Sequence, residues 1–345
     1  MPVVIVRCDG NAGVGMGHVS RCLALAEALR DRERCFVVFA MRGAESIGAA
    51  AVRAAGFEVA PIVADESTDY GGELGDLVSN RRAAALVVDV RDGLTRASID
   101  ALRQRRVRII SIDDGSDRRL AADLAFYPPV PQVETLNWPG FAGRRYVGWE
   151  WVLLRREFAT DTFTSPELSD SSPAIDILVT MGGSDPMGMT EFAVRALDLL
   201  PMPFAVHVVV GPAFSRAEPL IDTIVRSKHS VQIARAPASL AALMRASRMA
   251  VASFGVSAFE LAACGVPAVH LCLTADHARS SDVFDREGAA VTAGVFGQIT
   301  AAQLAGAAQR LMGAAGRRGQ MTRRARQLVD GRGAERVAAL VAGGL

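Results

Sequence analysis

The sequence predicts an α/β protein built from two doubly wound parallel sheets in tandem. Three observations predict it. Short apolar runs alternate with helix-like segments from end to end. Those runs are nearly continuous rather than alternating, as expected of strands covered on both faces. A polar Ser/Thr/Pro-rich stretch, Thr160 to Pro173, interrupts the pattern once, after which it restarts.

In the first half, strands are expected at Val3–Val6, Arg34–Phe39, Phe57–Pro61, Ala85–Val90 and Val107–Ile112, with helices at 18–31, 44–55 and 95–104. In the second half, strands are expected at Ile175–Met181, Ala205–Val210, Val231–Ala234, Met249–Ala252 and Ala268–Leu271. Helices at 187–200, 239–246, 257–264 and 302–312 separate them. A long helix near 317–342 has room to return to the N-terminal half across the linker. The reading is therefore an N-terminal domain over 1–158, a linker over 159–174 and a C-terminal domain over 175–345, with ligands expected at the carboxyl ends of strands and in a cleft between the domains.

Composition bounds the function. The chain has 345 residues, half of them apolar, and a formal net charge of +1. That balance argues against a nucleic-acid or membrane-surface partner. No run reaches the ~18 continuous apolar residues of a membrane span, and stable membrane association is not expected. The sequence opens on an expected strand and shows no basic n-region or cleavage site. Cys8, Cys22, Cys35, Cys264 and Cys272 have no CxxC spacing and read as buried free thiols, which points to the cytoplasm. No His/Cys/Asp/Glu cluster has metal-ligand spacing, so neither metal nor cofactor is expected. The sequence carries no signal for an oligomeric state.

The segment Arg7-Cys8-Asp9-Gly10-Asn11-Ala12-Gly13-Val14-Gly15-Met16-Gly17-His18 follows the first strand, and Arg21 lies one turn further on. Its glycines allow close backbone approach, and the helix behind presents unpaired N–H groups, as in an anion site. The spacing is neither a dinucleotide fingerprint nor a P-loop. Arg21, a cation in a first helical turn, implies an anionic ligand or a carboxylate partner such as Asp9. His18 reads as a general base for water or a sugar hydroxyl, against a capping or core histidine.

Three later segments carry similar chemistry. In Gly182-Gly183-Ser184-Asp185-Pro186, Asp185 as N-cap and Pro186 at the first helical position explain two residues, and the glycines leave room for a phosphate. In Gly255-Val256-Ser257-Ala258-Phe259-Glu260, Ser257 and Glu260 have capping-box spacing; Glu260 equally suits the two ribose hydroxyls of a nucleotide. Asp276 and His277 fall at the carboxyl end of a strand. His207 and His270 read as core, and Asp113-Asp114-Gly115 as a turn.

Taken together, these residues resemble the nucleotide-sugar hydrolase family of pseudaminic acid biosynthesis, related to the MurG-type glycosyltransferases of the GT-B fold. The resemblance spans nearly the whole chain. It rests on Arg7-x-Asp9, Gly15-x-Gly17-His18-x-x-Arg21-Cys22-Leu23-Ala24, Asp113-Asp114, Ala122-Asp123-Leu124, Trp151 to Phe158, Gly182-Gly183-Ser184-Asp185, Met244, Glu260 and Gly265-Val266-Pro267. It implies a GT-B-like fold and hydrolysis of a UDP-linked 2,4-diacetamido-2,4,6-trideoxy hexose, with inversion and without metal. His18 would activate water and Glu260 would hold the ribose. The loops of Gly183, Ser184 and Asp185 and of Gly255, Val256 and Ser257 would face the diphosphate. Asp9, Gly15, Gly17, Arg21, Asp276 and His277 would complete the substrate-binding set.

The chain departs from the family at several points. Asp89-Val90-Arg91 stands where the family has Asp-Ser-Tyr, Phe126-Tyr127-Pro128-Pro129 replaces an asparagine-rich strand end, and Asp276-His277 replaces Asn-Gln. Ser247-Arg248-Met249 and Phe254 also differ. The first three touch expected sugar-facing positions, so they bear on the sugar more than on the reaction. The alternatives are an inverting glycosyltransferase with a UDP-sugar donor, whose usual apolar and basic membrane patch is not evident here, and a non-catalytic nucleotide-sugar binding protein.

Overall fold

The computed structural model describes residues 1–11, 13–43, 45–159 and 174–345. The expected linker segment Thr160–Pro173 lies outside them. The described residues divide into two compact units: Met1–Arg155 with Arg332–Leu345, and Arg156–Gly331. The first division thus falls after Arg155 rather than Phe158, and the second unit ends at Gly331 rather than running to 345.

In the first unit the strands are β1 (Val3–Cys8), β2 (Phe36–Arg42), β3 (Glu58–Ile62), β4 (Ala85–Asp89), β5 (Arg108–Ile112), β6 (Leu124–Tyr127) and β7 (Arg144–Val147). They form one parallel sheet ordered β3-β2-β1-β4-β5-β6-β7. Its helices are α1 (Gly17–Asp31), α2 (Ile47–Ala54), α3 (Gly71–Asn80) and α4 (Arg96–Gln104). Val4, Val6, Phe39 and Val87 pack with Leu25 and Leu29 of α1 on one face. Ile5, Leu86 and Ile109 pack with Leu74 of α3 and Leu102 of α4 on the other. Both faces are covered, which is why these strands read as unbroken apolar runs.

In the second unit, β8 (Ile175–Thr180), β9 (Ala205–Val210), β10 (Ser230–Arg235), β11 (Ser247–Ser253), β12 (Ala268–Cys272) and β13 (Val291–Val295) form a parallel sheet ordered β10-β9-β8-β11-β12-β13. Around it lie α5 (Met189–Leu197), α6 (Ala217–Val225), α7 (Leu240–Arg245), α8 (Val256–Cys264), α9 (Ala275–Arg286), α10 (Ala301–Gly313) and α11 (Ala315–Leu328). The single long C-terminal helix expected near 317–342 is two helices. Gly331, at a φ of 73°, turns the chain after α11, and its Cα lies against the Phe158 carbonyl with no room for a Cβ. The helix that follows, α12 (Gly333–Ala342), buries Ala334, Val337, Ala338 and Val341 in the core of the first unit.

Within each sheet the strand order reverses once, between β1 and β4 and between β8 and β11. Open α/β sheets bind ligands outside the carboxyl ends of strands at such a switch point. The order thereby singles out two groups of loops: those after β1 and β4, and those after β8 and β11.

All five cysteines are buried and free. His270, in β12, is fully buried. Its Nδ1 lies 2.9 Å from Ser281 Oγ, while Nε2 has no hydrogen-bond partner. Burial among Phe254 and Phe284 pushes the imidazole down to about 4 from the usual 6.5. The folded state therefore favours neutral His270. Its contribution is complete above pH 6.5 and is lost as pH falls through the folded value, in total about 3 kcal/mol. Urea unfolding of the parent and His270→Gln from pH 7.5 to 5 should show a steeper loss for the parent; parallel curves would contradict this account.

Candidate functional site at the strand ends

The loop after β1 is built by its own polar groups. Asn11 Oδ1 accepts from the backbone N–H of Gly13 and of Val14 at 2.8 and 2.9 Å. Gly15, at a φ of 81°, returns its N–H to the Asn11 carbonyl at 2.8 Å. Gly17 then opens α1, whose N-cap, Met16, gives no side-chain hydrogen bond and whose first turn carries no acid. His18 and Arg21 stand one turn apart on this helix.

Cys8 at the end of β1 lies beside Asp89 at the end of β4, which brings Asp89 to α1. The Nδ1 atom of His18 is 2.7 Å from Asp89 Oδ1. Arg21 holds the same carboxylate with Nε to Oδ2 and Nη2 to Oδ1, both at 2.6 Å, and reaches Asp113 Oδ2 with Nη1 at 3.0 Å. Arg21 Nη2 also lies 3.2 Å from His18 Nδ1. A bare Nδ1 would set its lone pair against a carboxylate oxygen, so Nδ1 carries hydrogen and donates to Asp89. The lone pair of the neutral ring is then on Nε2.

Burial penalises the charge on Asp89, but Arg21 first and His18 second outweigh it and hold the carboxyl well below the usual carboxylate range. Burial likewise opposes the Arg21 charge, and Asp89 more than offsets this, raising its pKa. Arg21 is therefore an ion-pair partner of Asp89 and Asp113.

Asp9 belongs to a second network. Arg7, with a fully buried side chain, clamps it through Nη1 and Nη2 at 2.6 Å each, and Arg42 donates its backbone N–H at 2.8 Å. Asp92 receives Arg7, Arg42, Arg118 and the Tyr70 hydroxyl at 2.6–3.1 Å. These bonds fix the strand ends beneath a small pocket whose lining includes Asp9, His18, Asp89, Asp92, Glu66 and Arg91.

In the second unit, the glycine loop after β8 and the Gly255 loop after β11 flank the switch point. Gly182, at a φ of 87°, lies beside Ser253, and Gly211 approaches the Gly183 carbonyl too closely for any Cβ. Ser184 is half-buried. Asp185 is not the N-cap of α5 and Pro186 is not its first residue. The N-cap is Gly188, at a φ of 76°. The buried Asp185 carboxylate nevertheless accepts from Met189 and Thr190 N–H at 2.9 and 2.8 Å, so it caps the helix from four residues upstream.

The capping box expected at Ser257 and Glu260 is absent. Helix α8 starts at Val256 with Gly255 as its N-cap and no side-chain cap, two residues too early for Ser257 to serve. Glu260 is buried in the second turn. Asp276 and His277 sit in the first turn of α9, not in the strand end itself. Asp276 pairs with Arg279, and the His277 N–H donates to the Thr274 cap at 3.1 Å. Phe254 bridges the two loops, its ring 6.0 Å from that of His277.

The sequence places Asp89 only within the Asp89-Val90-Arg91 departure and gives it no role beside His18, and it reads Asp113 as a turn residue. The available signal was a carboxylate ending an apolar strand next to the first one. Among the described residues, no group of three or more His, Cys, Asp or Glu is placed to hold a metal ion. No helix among them is long and apolar enough to cross a membrane.

No protein-family model matches the chain. The spore coat polysaccharide biosynthesis protein SpsG of Bacillus subtilis is 23% identical over 341 residues, 97% of this chain and 96% of that one. An uncharacterized protein of Methanocaldococcus jannaschii, MJ1062, is 25% identical over 278 residues, 79% of this chain. The match spans about half of that protein, 55% of its length. Among solved structures, MurG of Acinetobacter baumannii superposes with a TM-score of 0.70 at 15% identity, covering 99% and 100% of the two chains. The S. aureus MnaA–UDP co-structure gives 0.67 at 12% identity, covering 99% and 96%. Anabaena Alr3699/HepE in complex with UDP-glucose gives 0.62 at 13%, covering all of both chains. The fold is thus GT-B, two Rossmann-like domains with parallel sheets of seven and six strands.

Proposed function

We propose that this chain acts on a UDP-sugar and hydrolyses it, with His18 as general base. The observation that carries the reading is the 2.7 Å contact of His18 Nδ1 with Asp89 at the switch point of the first sheet. It leaves Nε2 to take a proton from water as the water oxygen bonds to the anomeric carbon. The bond from that carbon to the phosphate oxygen breaks, and UDP leaves with the electron pair. Asp89 stabilises the imidazolium that forms. Negative charge on the departing diphosphate would be met by backbone N–H groups of the Gly182–Ser184 loop and the uncapped start of α8. Glu260 would accept the ribose hydroxyls. Fold neighbours whose structures contain UDP or UDP-glucose support the choice of nucleotide. The resemblance to the pseudaminic acid family supports a 2,4-diacetamido-2,4,6-trideoxy hexose as the sugar.

A glycosyltransferase reading is favoured by the nearly full-length match to a polysaccharide biosynthesis protein. The same base would then deprotonate an acceptor hydroxyl. Incubation with a panel of UDP-sugars separates the two: stoichiometric UDP release without acceptor supports hydrolysis, and release only on adding an acceptor supports transfer. UDP at about 100 times its Kd should stabilise the fold by about 2.7 kcal/mol in thermal unfolding. No shift with UDP alongside a clear shift with CDP or GDP would overturn the nucleotide assignment.

A further inference from the structure

Around the His18 pocket, most arginines are held by close carboxylates. Arg7 bonds to Asp9, Asp92 and Tyr70, Arg21 to Asp89 and Asp113, Arg42 to Asp9 and Asp92, and Arg118 to Asp92 and Asp114. Their side chains are at most 16% exposed. The buried carboxylates of the pocket are matched by these cations and do not repel an incoming anion. Arg91 differs. It lines the same pocket, its side chain is 74% exposed, and it reaches Asp113 only at 4.0 Å. Asp113 is already engaged by Arg21 at 3.0 Å.

The backbone around Arg91 is fixed. The Gly93 N–H donates to the Glu66 carbonyl at 2.8 Å, and a Cβ at Gly93 would come within 2.7 Å of the Ser67 carbonyl group. The Arg91 and Glu66 segments therefore hold each other at the pocket. A guanidinium fork with no close acidic partner, on a fixed backbone beside the base, suits a planar oxyanion bound bidentately. Glu66 suits hydroxyl donors of a sugar.

We propose that Arg91 is a specificity-determining residue that binds an oxyanion of the ligand held at His18. That oxyanion is either the linking diphosphate, which the diacetamido-trideoxy hexose proposed above carries on its nucleotide, or a sugar carboxylate, which would replace that hexose by a uronic acid. The proposal rests on the nucleotide-sugar reading above and deepens it.

Isothermal titration of the parent, Arg91→Gln and Arg91→Lys with UDP, UDP-glucose and UDP-glucuronate tests it. Because Arg91 is exposed, the variants should keep the parent's melting temperature. Arg91→Gln should weaken binding roughly 10–100-fold, and Arg91→Lys less. A loss shared by all three ligands supports the diphosphate as the partner; a loss confined to UDP-glucuronate supports the sugar carboxylate. Equal Kd values for parent and Arg91→Gln with every ligand would overturn this proposal alone. Absence of binding by the parent to all three would overturn it together with the nucleotide-sugar reading.

Discussion

Replacement of His18 by alanine is expected to slow UDP release from the nucleotide sugar by roughly 10²–10⁴-fold, with Kd for UDP nearly unchanged. The side chain is partly exposed, and α1 is anchored by buried Val19, Cys22, Leu25 and Leu29. The Asp89 carboxylate keeps Arg21 after the truncation. Stability should therefore move by no more than about 1 kcal/mol, so a lost rate reports chemistry rather than unfolding. Single-turnover measurement of UDP, with thermal melts as control, checks this. UDP release by His18→Ala at the parent rate would remove the base assignment.

Asp89→Ala should have the largest effect on the fold. It strips Arg21 of its bidentate partner in a largely buried position and leaves Asp113 as the remaining carboxylate within reach. Losing one side of a buried ion pair costs about 3–5 kcal/mol, because the surviving charge stays desolvated. Denaturant unfolding at pH 7 measures this. The sign of the pH effect follows from the depressed Asp89 value: its contribution is present above the ordinary carboxylate range near 4 and is lost as pH falls toward the folded value. Asp89→Asn separates position from charge. An amide satisfies the geometry but cannot accept from both His18 and Arg21 as a carboxylate does, so kcat should fall on the order of 10²–10⁴-fold with KM little changed. A merely structural Asp89 would lower stability without altering the pH profile of kcat; the proposed role requires that profile to change.

Ten strands were legible as short apolar runs, most of them because both faces of their sheet are covered; the mostly exposed edge strand β10 was legible from Val231 and Ile233 alone. The three that were not are short or interrupted. β6 has four residues, β7 begins Arg144-Arg145 at a sheet edge, and β13 carries Gly294 and is nowhere fully buried. Helix α3 was hidden by three glycines, and α9 by its polar surface. α6 was overlooked too, although its sequence is apolar enough to suggest a helix. At the site, the glycine loop, His18 and Arg21 could be read because they lie within one short segment. The contact of Asp89 with His18 could not, because the two are 71 residues apart and meet only through the pairing of β1 with β4. The Asp185 cap was recognisable by residue type, but its register depended on a left-handed Gly188 that propensity alone does not locate.

The return of α12 to the first unit makes the second an insertion within it. Val152 and Gly333 touch in the first unit, and Phe158 and Gly331 touch in the second, so the outgoing and incoming chain are adjacent on both sides. During synthesis the inserted unit is complete once Gly331 has emerged, while its host still lacks Ala334, Val337, Ala338 and Val341 from its core. The portion translated first is thus the last to close, and a ribosome stalled before α12 would hold a finished second unit while the first is still unsealed.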